Sequence, residues 1–244
     1  MTRRLTLLSL ACIQVGQILN AQLIRQIEFS VYGQYPLRNI AYYPNNQVAD
    51  PAASQAQVGT SIQSHPLSRM GPYYFEGSNH IVFYDQHSSE PMARATLPHT
   101  SNKWLLIFIR NPKHPEARQT QPQFLIYPFD DSHKNFTMNA VTFVNLSGQQ
   151  LDGFINNKRV TIKQGSCDKF PAAENLPINL WVRGVGDQQL LPAAAKTFSL
   201  KMNHRNLMIL FPPALKGSSD LDLRLLSAPR TGTPVAKTLP RQSP

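Results

Sequence analysis

The feature that most constrains the fold of this 244-residue chain is a series of short apolar runs separated by turn residues. Clusters of Pro, Gly, Asn and Ser lie between runs rich in branched and aromatic residues. Turns spaced about every 8–12 residues between such runs are typical of a β-sandwich. Twenty prolines, and a charged fraction of 16% against roughly 25% in a typical domain, argue against long helices. The sequence therefore predicts an all-β protein.

Two of these runs are apolar almost throughout, at residues 103–110 and 206–211. A short continuous apolar run that ends at turn residues predicts a central strand buried on both faces. The charged residues at the ends of these two strands, Lys103, Arg110 and Arg205, are expected to reach water.

Other runs alternate apolar and polar residues, as half-buried strands do. Residues 27–32 and 37–43 predict a hairpin of two such strands, because a turn at Gly33 separates them. Residues 48–66 are rich in Ala, Ser, Gln and Gly and predict a long, poorly ordered loop. Residues 124–127 predict a strand that stops at Pro128.

The second half of the chain repeats the order of the first. The pattern around Phe29 matches the pattern around Phe143, and the run at Trp104 matches the run at Leu207. We interpret this match as an internal duplication of a β-rich unit of roughly 100 residues, which predicts two tandem β-sandwich-like (immunoglobulin-like) units. The predicted segments are residues 22–136 for the first unit, 137–229 for the second unit and 230–244 for a disordered basic tail.

Residues 1–21 have the layout of a secretory signal peptide, with a positive start, a mostly apolar stretch and a small residue, Ala21, at the cleavage position. Two alternatives stay open: a buried N-terminal helix, and a lipid anchor at Cys12, whose preceding residues partly resemble a lipobox. The apolar stretch is short against the roughly 20 residues of a membrane-spanning helix. We therefore expect export to the periplasm, the outer-membrane surface or the extracellular space, with no transmembrane segment in the mature chain.

The formal net charge of +10 comes from scattered basic residues. No Lys/Arg run is interleaved with aromatic residues, so no specific nucleic-acid binding is predicted, while attraction to acidic glycans or lipid head groups stays an alternative. The two cysteines are Cys12 and Cys167. Removal of the signal peptide leaves Cys167 alone, which excludes an intrachain disulfide, and its surroundings predict a structural thiol.

The sequence contains no catalytic or metal-binding motif that we recognise. The seven histidines form no His-Glu-x-x-His or zinc-spaced set, although His80, His87 and His99 lie close in sequence. No Gly-x-Ser-x-Gly is present, and the adjacent Asp130 and Asp131 are typical of a turn after a strand. We therefore predict a protein that is not an enzyme, with no catalytic residues, no metal and no cofactor.

An excess of tyrosine marks the first half of the chain. Tyr42-Tyr43 and Tyr73-Tyr74 are neighbours on predicted strands, so at least one of each pair must point away from the core. Such rings either cover a sheet face or form a recognition surface, because exposed aromatic rings stack on sugars. The predicted ligand-binding residues are Tyr42, Tyr43, Tyr73 and Tyr74.

The order of signal peptide, strand-rich repeat, strand-rich repeat and basic tail resembles uncharacterised exported two-repeat β-rich proteins of Gram-negative bacteria. This resemblance covers residues 22–228 and implies no activity. Our leading prediction is a binding or scaffold protein of the cell envelope or extracellular space, whose partner is an envelope protein or a glycan. The alternative is a carbohydrate-binding module that uses the four tyrosines.

Overall fold

The computed structural model describes residues 24–45, 59–63, 65, 68–111, 122–132, 139–183, 189–215 and 217–228, and all regular elements within them are β-strands. The first half contains β1 (Arg25–Gly33), β2 (Ile40–Tyr42), β3 (Thr60–Ile62), β4 (Met70–Gly77), β5 (His80–Asp85), β6 (Pro91–Thr96), β7 (Lys103–Arg110) and β8 (Phe124–Asp130). The second half contains β9 (Ala140–Asn145), β10 (Leu151–Ile155), β11 (Lys158–Ile162), β12 (Cys167–Pro171), β13 (Asn175–Arg183), β14 (Leu190–Ser199), β15 (Arg205–Phe211) and β16 (Asp222–Ala228).

The strands form four sheets of four strands each. The first half contributes a first inner sheet, β4-β1-β7-β8, and a first outer sheet, β3-β2-β5-β6. The second half contributes a second inner sheet, β12-β9-β15-β16, and a second outer sheet, β11-β10-β13-β14. Each strand of the second half thus takes the place of the strand eight positions earlier. Both inner sheets also share a central parallel pair, β1 with β7 and β9 with β15. This shared topology supports the internal duplication.

The prediction of β-sandwich-like units is confirmed, but the strand order is not that of an immunoglobulin domain. Numbered from the start of the domain, immunoglobulin strands pair in the orders 1-2-5-4 and 3-6-7. Here the orders are 4-1-7-8 and 3-2-5-6, with strands 1 and 7 parallel at the centre of one sheet.

Three apolar cores hold the four sheets in one stack. One core lies between the outer and inner sheets of the first half, and a second occupies the same place in the second half. The third core lies between the two inner sheets, and we call it the interunit core. Its buried members are Tyr32, Leu105, Ile107, Phe129, Val144, Leu207, Ile209 and Phe211.

The interunit core explains why two runs of the sequence are apolar throughout. In β7, alternate residues point either to the first outer sheet or to the second inner sheet, and every residue of β15 is buried. The prediction of two strands buried on both faces is therefore confirmed. The second face is covered by the other unit, since the two inner sheets pack against each other.

The strand register corrects the alignment of the two halves by one residue. Phe29 pairs with Trp104, whereas Phe143 pairs with Met208, so Trp104 corresponds to Met208 rather than to Leu207. One residue matters here because side chains alternate along a strand. Trp104 and Met208 face the outer sheets of their own units, and Leu207 faces the opposite unit.

Several local predictions about strands and loops are wrong. Strands β1 and β2 form no hairpin, because β1 enters the first inner sheet and β2 crosses to the first outer sheet. Strand β3 lies inside the predicted loop of residues 48–66. Strand β8 continues through Pro128, which an edge strand tolerates because its outer N–H positions need no partner. The signal peptide, Cys12, the boundary at 136/137 and the tail 230–244 lie outside the described residues.

A buried ion cluster joins the two units at the amino ends of β7 and β15. Asp131, directly after β8, pairs with Arg69, and its Oδ1 lies 3.7 Å from Nη1 of Arg205. Asp131 and Arg205 are both buried, so the expectation that Arg205 reaches water is wrong. At the opposite end of the strands, Nε2 of Gln34 donates to the carbonyl of Pro212 at 3.2 Å. Polar contacts therefore connect the units on both sides of the interunit core.

Asp131→Asn is expected to destabilise the whole chain, because it removes the buried carboxylate that pairs with both Arg69 and Arg205. Breaking a buried ion pair from one side costs about 3–5 kcal/mol. The measurement is the free energy of unfolding in guanidinium chloride. The control is Asp220→Asn, because Asp220 is an exposed acidic residue in a loop. It is expected to leave the free energy of unfolding nearly unchanged. Equal stability of the two variants would contradict the role assigned to Asp131.

Ionisation of Tyr32 makes the stability that the interunit core contributes depend on pH in the alkaline range. Its ring stacks on Phe211 with ring centroids 6.2 Å apart, and burial, with Asp222, raises its pKa from 10.0 to about 12 against the lowering effect of Arg224. The neutral phenol of Tyr32 is favoured in the folded state, and the stability that results is fully present below pH 10. It is lost as the pH rises toward 12, and the total loss is about 3 kcal/mol. Tyr32→Phe should therefore lose less stability than the wild type between pH 9 and pH 12. Parallel pH profiles of the two proteins would contradict this account.

Candidate functional site

Each outer sheet carries a pair of aromatic rings on the face that points away from the stack. On the first outer sheet, Tyr43 and Tyr84 lie with ring centroids 5.3 Å apart. On the second, Phe154 and Trp181 lie with ring centroids 6.2 Å apart. Phe154 is 43% exposed and the other three rings are half-buried. We call these pairs the first and second aromatic platforms.

The two platforms occupy equivalent positions in the two units. Tyr84 on β5 lies directly opposite Ala41, and Tyr43 follows Ala41 by two residues. Trp181 on β13 lies directly opposite Asp152, and Phe154 follows Asp152 by two residues. Both pairs are therefore diagonal cross-strand pairs, which lie within reach of aromatic side chains.

A β-bulge beside each platform is repeated as well. The register between β5 and β6 shifts just before Tyr84, which then faces Pro91. The register between β13 and β14 shifts just before Trp181, which then faces Pro192. The extra residue lies on the neighbouring strand, Met92 of β6 and Ala193 of β14, so each ring points outward through the regular alternation of its own strand. Bulges are frequent next to functional sites. The bulge, the proline and the aromatic pair thus form one local arrangement that occurs in both units.

Arginine side chains flank both platforms. Arg94 pairs across the sheet with Val82, which is two residues from Tyr84, and Arg159 lies directly opposite Phe154. Arg183 follows Trp181 by two residues on the same face of β13. All three arginines are exposed, and none forms an ion pair with any residue in the described ranges.

The acidic groups near the platforms are held by internal hydrogen bonds. Oδ1 of Asp85 accepts from the backbone N–H groups of His87 and Ser88 at 2.8 and 2.9 Å, which lowers the pKa of its carboxyl. Oδ1 of Asp152 accepts from the hydroxyl of Thr161 at 2.6 Å. Accepting these hydrogen bonds does not neutralise a carboxylate, so each outer face presents an acidic group as well as its guanidinium groups.

Beside the first platform, a hollow of about 260 Å³ is lined by Tyr43, Tyr84, Asp85, Gln86 and Ser89 among others. Burial and the neighbouring Tyr43 raise the pKa of Tyr84, although Arg94 opposes them. The phenol of Tyr84 is thus neutral at physiological pH and able to donate a hydrogen bond. The hollow combines an aromatic face with amide and hydroxyl groups.

The four predicted tyrosines do not form one site. Tyr42 is 2% exposed and its hydroxyl donates to the carbonyl of Tyr74 at 3.0 Å, while Tyr73 packs against the first core. Tyr43 belongs to the first platform. Tyr74 is 63% exposed on edge strand β4, beside a separate hollow of about 620 Å³. The prediction that one ring of each neighbouring pair points outward is confirmed, and Tyr42 is a core residue.

The tyrosine excess of the first half does not point to Phe154 and Trp181. The signal for them in the second half is an aromatic residue at an outward position of a strand that alternates regularly. Phe154 lies between the inward positions of Gly153 and Ile155, and Trp181 lies between the buried Leu180 and Val182. An aromatic residue at an outward position of an alternating strand identifies an exposed ring.

A third hollow opens between the two units, at the carboxyl ends of β1, β7, β9 and β15. Its volume is about 810 Å³, and its wall contains apolar side chains, amides and the exposed cation Arg110. Clefts of this size and composition at domain interfaces are common ligand sites. Side chains of this wall include Gln34, Tyr35, Arg110, Asn111, Leu125 and Leu146.

The reactive side chains do not converge on one point. Cys167 is exposed at the start of edge strand β12, and partial burial raises the pKa of its thiol, whereas a nucleophilic cysteine needs a lowered pKa. His80 bonds Thr96 at 3.1 Å, and His99 lies 3.5 Å from Arg25. Within the part of the chain that the structure describes, no three His, Cys, Asp or Glu side chains gather as metal ligands would.

Comparison with protein-family models gives no match for this chain, and comparison with curated proteins gives none either. In the described ranges, no helix has the length and apolarity needed to cross a bilayer. The function must therefore be argued from the geometry of the chain itself.

Proposed function

We propose that this chain is an exported, non-enzymatic protein that binds an acidic polysaccharide through its two aromatic platforms. The observation that carries the proposal is the repeat: both outer faces present a diagonal aromatic pair beside a bulge. Exposed arginines lie next to both pairs and form no ion pair with the described residues. The layout of residues 1–21 supports export, and the net charge favours a negatively charged partner: it is +10 for the whole chain and, without Arg3 and Arg4 of the signal peptide, +8 for the rest (10 − 2).

The chemistry of each platform suits a sugar that carries a carboxylate. An aromatic ring accepts the apolar face of a pyranose, because its own face is apolar and carries partial negative charge toward the sugar C–H groups. A guanidinium group beside the ring pairs with a carboxylate through two parallel hydrogen bonds. Exposed ion pairs contribute only about 0.2–1 kcal/mol each, so one platform binds one sugar segment weakly. A polymer with many repeats raises the overall affinity, because it offers many binding segments to the two platforms.

A polysaccharide suits these faces better than a protein partner. Protein interfaces are also rich in aromatic residues and arginine, but they are built around a fully buried apolar centre with few charges. Here the exposed aromatic rings alternate with charged and polar side chains on both outer faces, for example Asp152, Arg159 and Asn179 around the second platform. A scaffold that binds an envelope protein is therefore the second choice for these faces.

Loss of both platforms is expected to abolish binding to polygalacturonate. The test variant combines Tyr43→Ala, Tyr84→Ala, Phe154→Ala and Trp181→Ala, which removes the four stacking rings. Retention on a polygalacturonate column should fall at least tenfold, and raising the salt concentration should weaken the wild type, since the arginine contacts are exposed. Circular dichroism verifies that the variant is folded.

Tyr74→Ala is the matched control, because Tyr74 is exposed but lies outside both platforms. It should bind as the wild type does. Neutral dextran should be retained weakly. Equal binding by the fourfold variant or equal retention of dextran would each contradict the proposal.

The cleft between the units supports a second candidate function, capture of a small, partly apolar anion. Its wall offers exposed Tyr35 and Leu125 for the apolar part, and Arg110 forms no ion pair within the described residues. Long-chain carboxylates such as palmitate are the probe, and the melting temperature is the readout. Arg110→Gln should remove the stabilisation, and Lys201→Gln, at the far end of β15, should keep it. Stabilisation that survives Arg110→Gln would contradict this candidate.

A further inference from the structure

The two aromatic platforms point in opposite directions. Each lies on an outer sheet, and the two inner sheets stand between them with the interunit core at the centre. Packed sheets lie about 10 Å apart, so three such spacings place the platforms roughly 30 Å from each other across the stack. A segment of a few sugar residues on one platform therefore cannot reach the other.

The interunit core fixes this opposed arrangement. Eight buried apolar side chains, drawn equally from the two units, fill the space between the inner sheets. The ion pairs of Asp131 with Arg69 and Arg205 hold one end, and the bond from Gln34 to Pro212 holds the other. Domains joined by a large apolar interface move as one body, whereas small polar interfaces permit relative motion. The platforms are thus fixed on opposite sides of one rigid body.

We propose that one molecule of this protein bridges two separate chains of an acidic polysaccharide, one on each outer face. This inference rests on the proposed function, since it requires that each platform binds the polymer. It adds that the two platforms face in opposite directions, so that one monomer can bind two polymer chains at once. Bridging converts weak single-platform contacts into a cross-linked network, because each chain carries many sites and each protein joins two chains.

Bivalency predicts a characteristic dependence on the protein-to-polymer ratio. At low ratios, added protein increases the number of bridges between chains. At high ratios, each binding segment of the polymer is occupied by a different protein molecule. Bridges are then lost, while the amount of bound protein still increases. Light scattering by the mixture should therefore rise and then fall, although the amount of bound protein rises throughout.

The experiment separates binding from bridging with variants that keep one platform. The first variant carries Tyr43→Ala and Tyr84→Ala, and the second carries Phe154→Ala and Trp181→Ala. Each is mixed with soluble polygalacturonate, bound protein is measured by co-sedimentation, and bridging is measured by light scattering. Sedimentation of each protein alone establishes that it is monomeric. Tyr74→Ala serves as the matched control and should bridge as the wild type does.

We expect each single-platform variant to bind within about tenfold of the wild type and to lose the scattering increase completely. Binding by the wild type without any scattering increase would overturn bridging while leaving the proposed function intact. Undiminished scattering with either single-platform variant would also overturn it, because the bridge would then need only one platform. Absence of all binding by the wild type would instead overturn the proposed function itself.

Discussion

Burial of the two inner sheets against each other is the interaction on which this structure depends. Tyr32, Leu105 and Ile107 of one unit, together with Phe129, meet an equal number of apolar side chains from the other unit. Were the units apart, each inner sheet would expose a contiguous apolar face, which soluble domains rarely do. The two sandwiches are therefore halves of one body, and the ion pair from Asp131 to Arg205 is buried because this contact closes over it.

The same contact decides which surfaces are left for function. It covers one face of each sandwich, and among the described residues no further sheet packs on the outer faces of the two outer sheets. On both of them the alternation of β5 or β13 directs an aromatic ring outward, beside a bulge in the neighbouring strand and an arginine that forms no ion pair with the residues the structure describes. A core requires neither an outward ring nor an unpaired charge. The aromatic pair and the bulge recur at equivalent positions in both units, whereas the position of Arg94 is taken by Ala195 in the second unit. The recurrence of the aromatic pair is the reason that we propose ligand binding for these faces.

The sequence predicted the strands better than it predicted their partners. The runs at 103–110 and 206–211 were identified as doubly buried strands because they lack polar alternation, and a hairpin such as β10–β11 is marked by Asn156 and Asn157, whose φ angles of 49° and 61° suit a tight turn. Pairing of β1 with β7 could not be predicted, since it joins residues about 75 positions apart and leaves no local pattern. Arg205 was misplaced for the same reason: its buried partner, Asp131, belongs to the other unit.

The candidate site was predictable only in part. Tyr43 could be identified from its place beside Tyr42, but alternation alone did not say which of the two points inward. Trp181 could be identified as an outward ring from its place between Leu180 and Val182. Its equivalence to Tyr84 follows only from the strand register, which aligns the two halves residue by residue.

The most direct measurement is a crystal structure of the chain with a tetragalacturonide bound. The account predicts sugar rings stacked on both outer faces, over Tyr84 and over Trp181, with carboxylates in hydrogen-bond contact with Arg94 and Arg159. Electron density for the oligosaccharide in the cleft between the units, or beside Tyr74 alone, would contradict it.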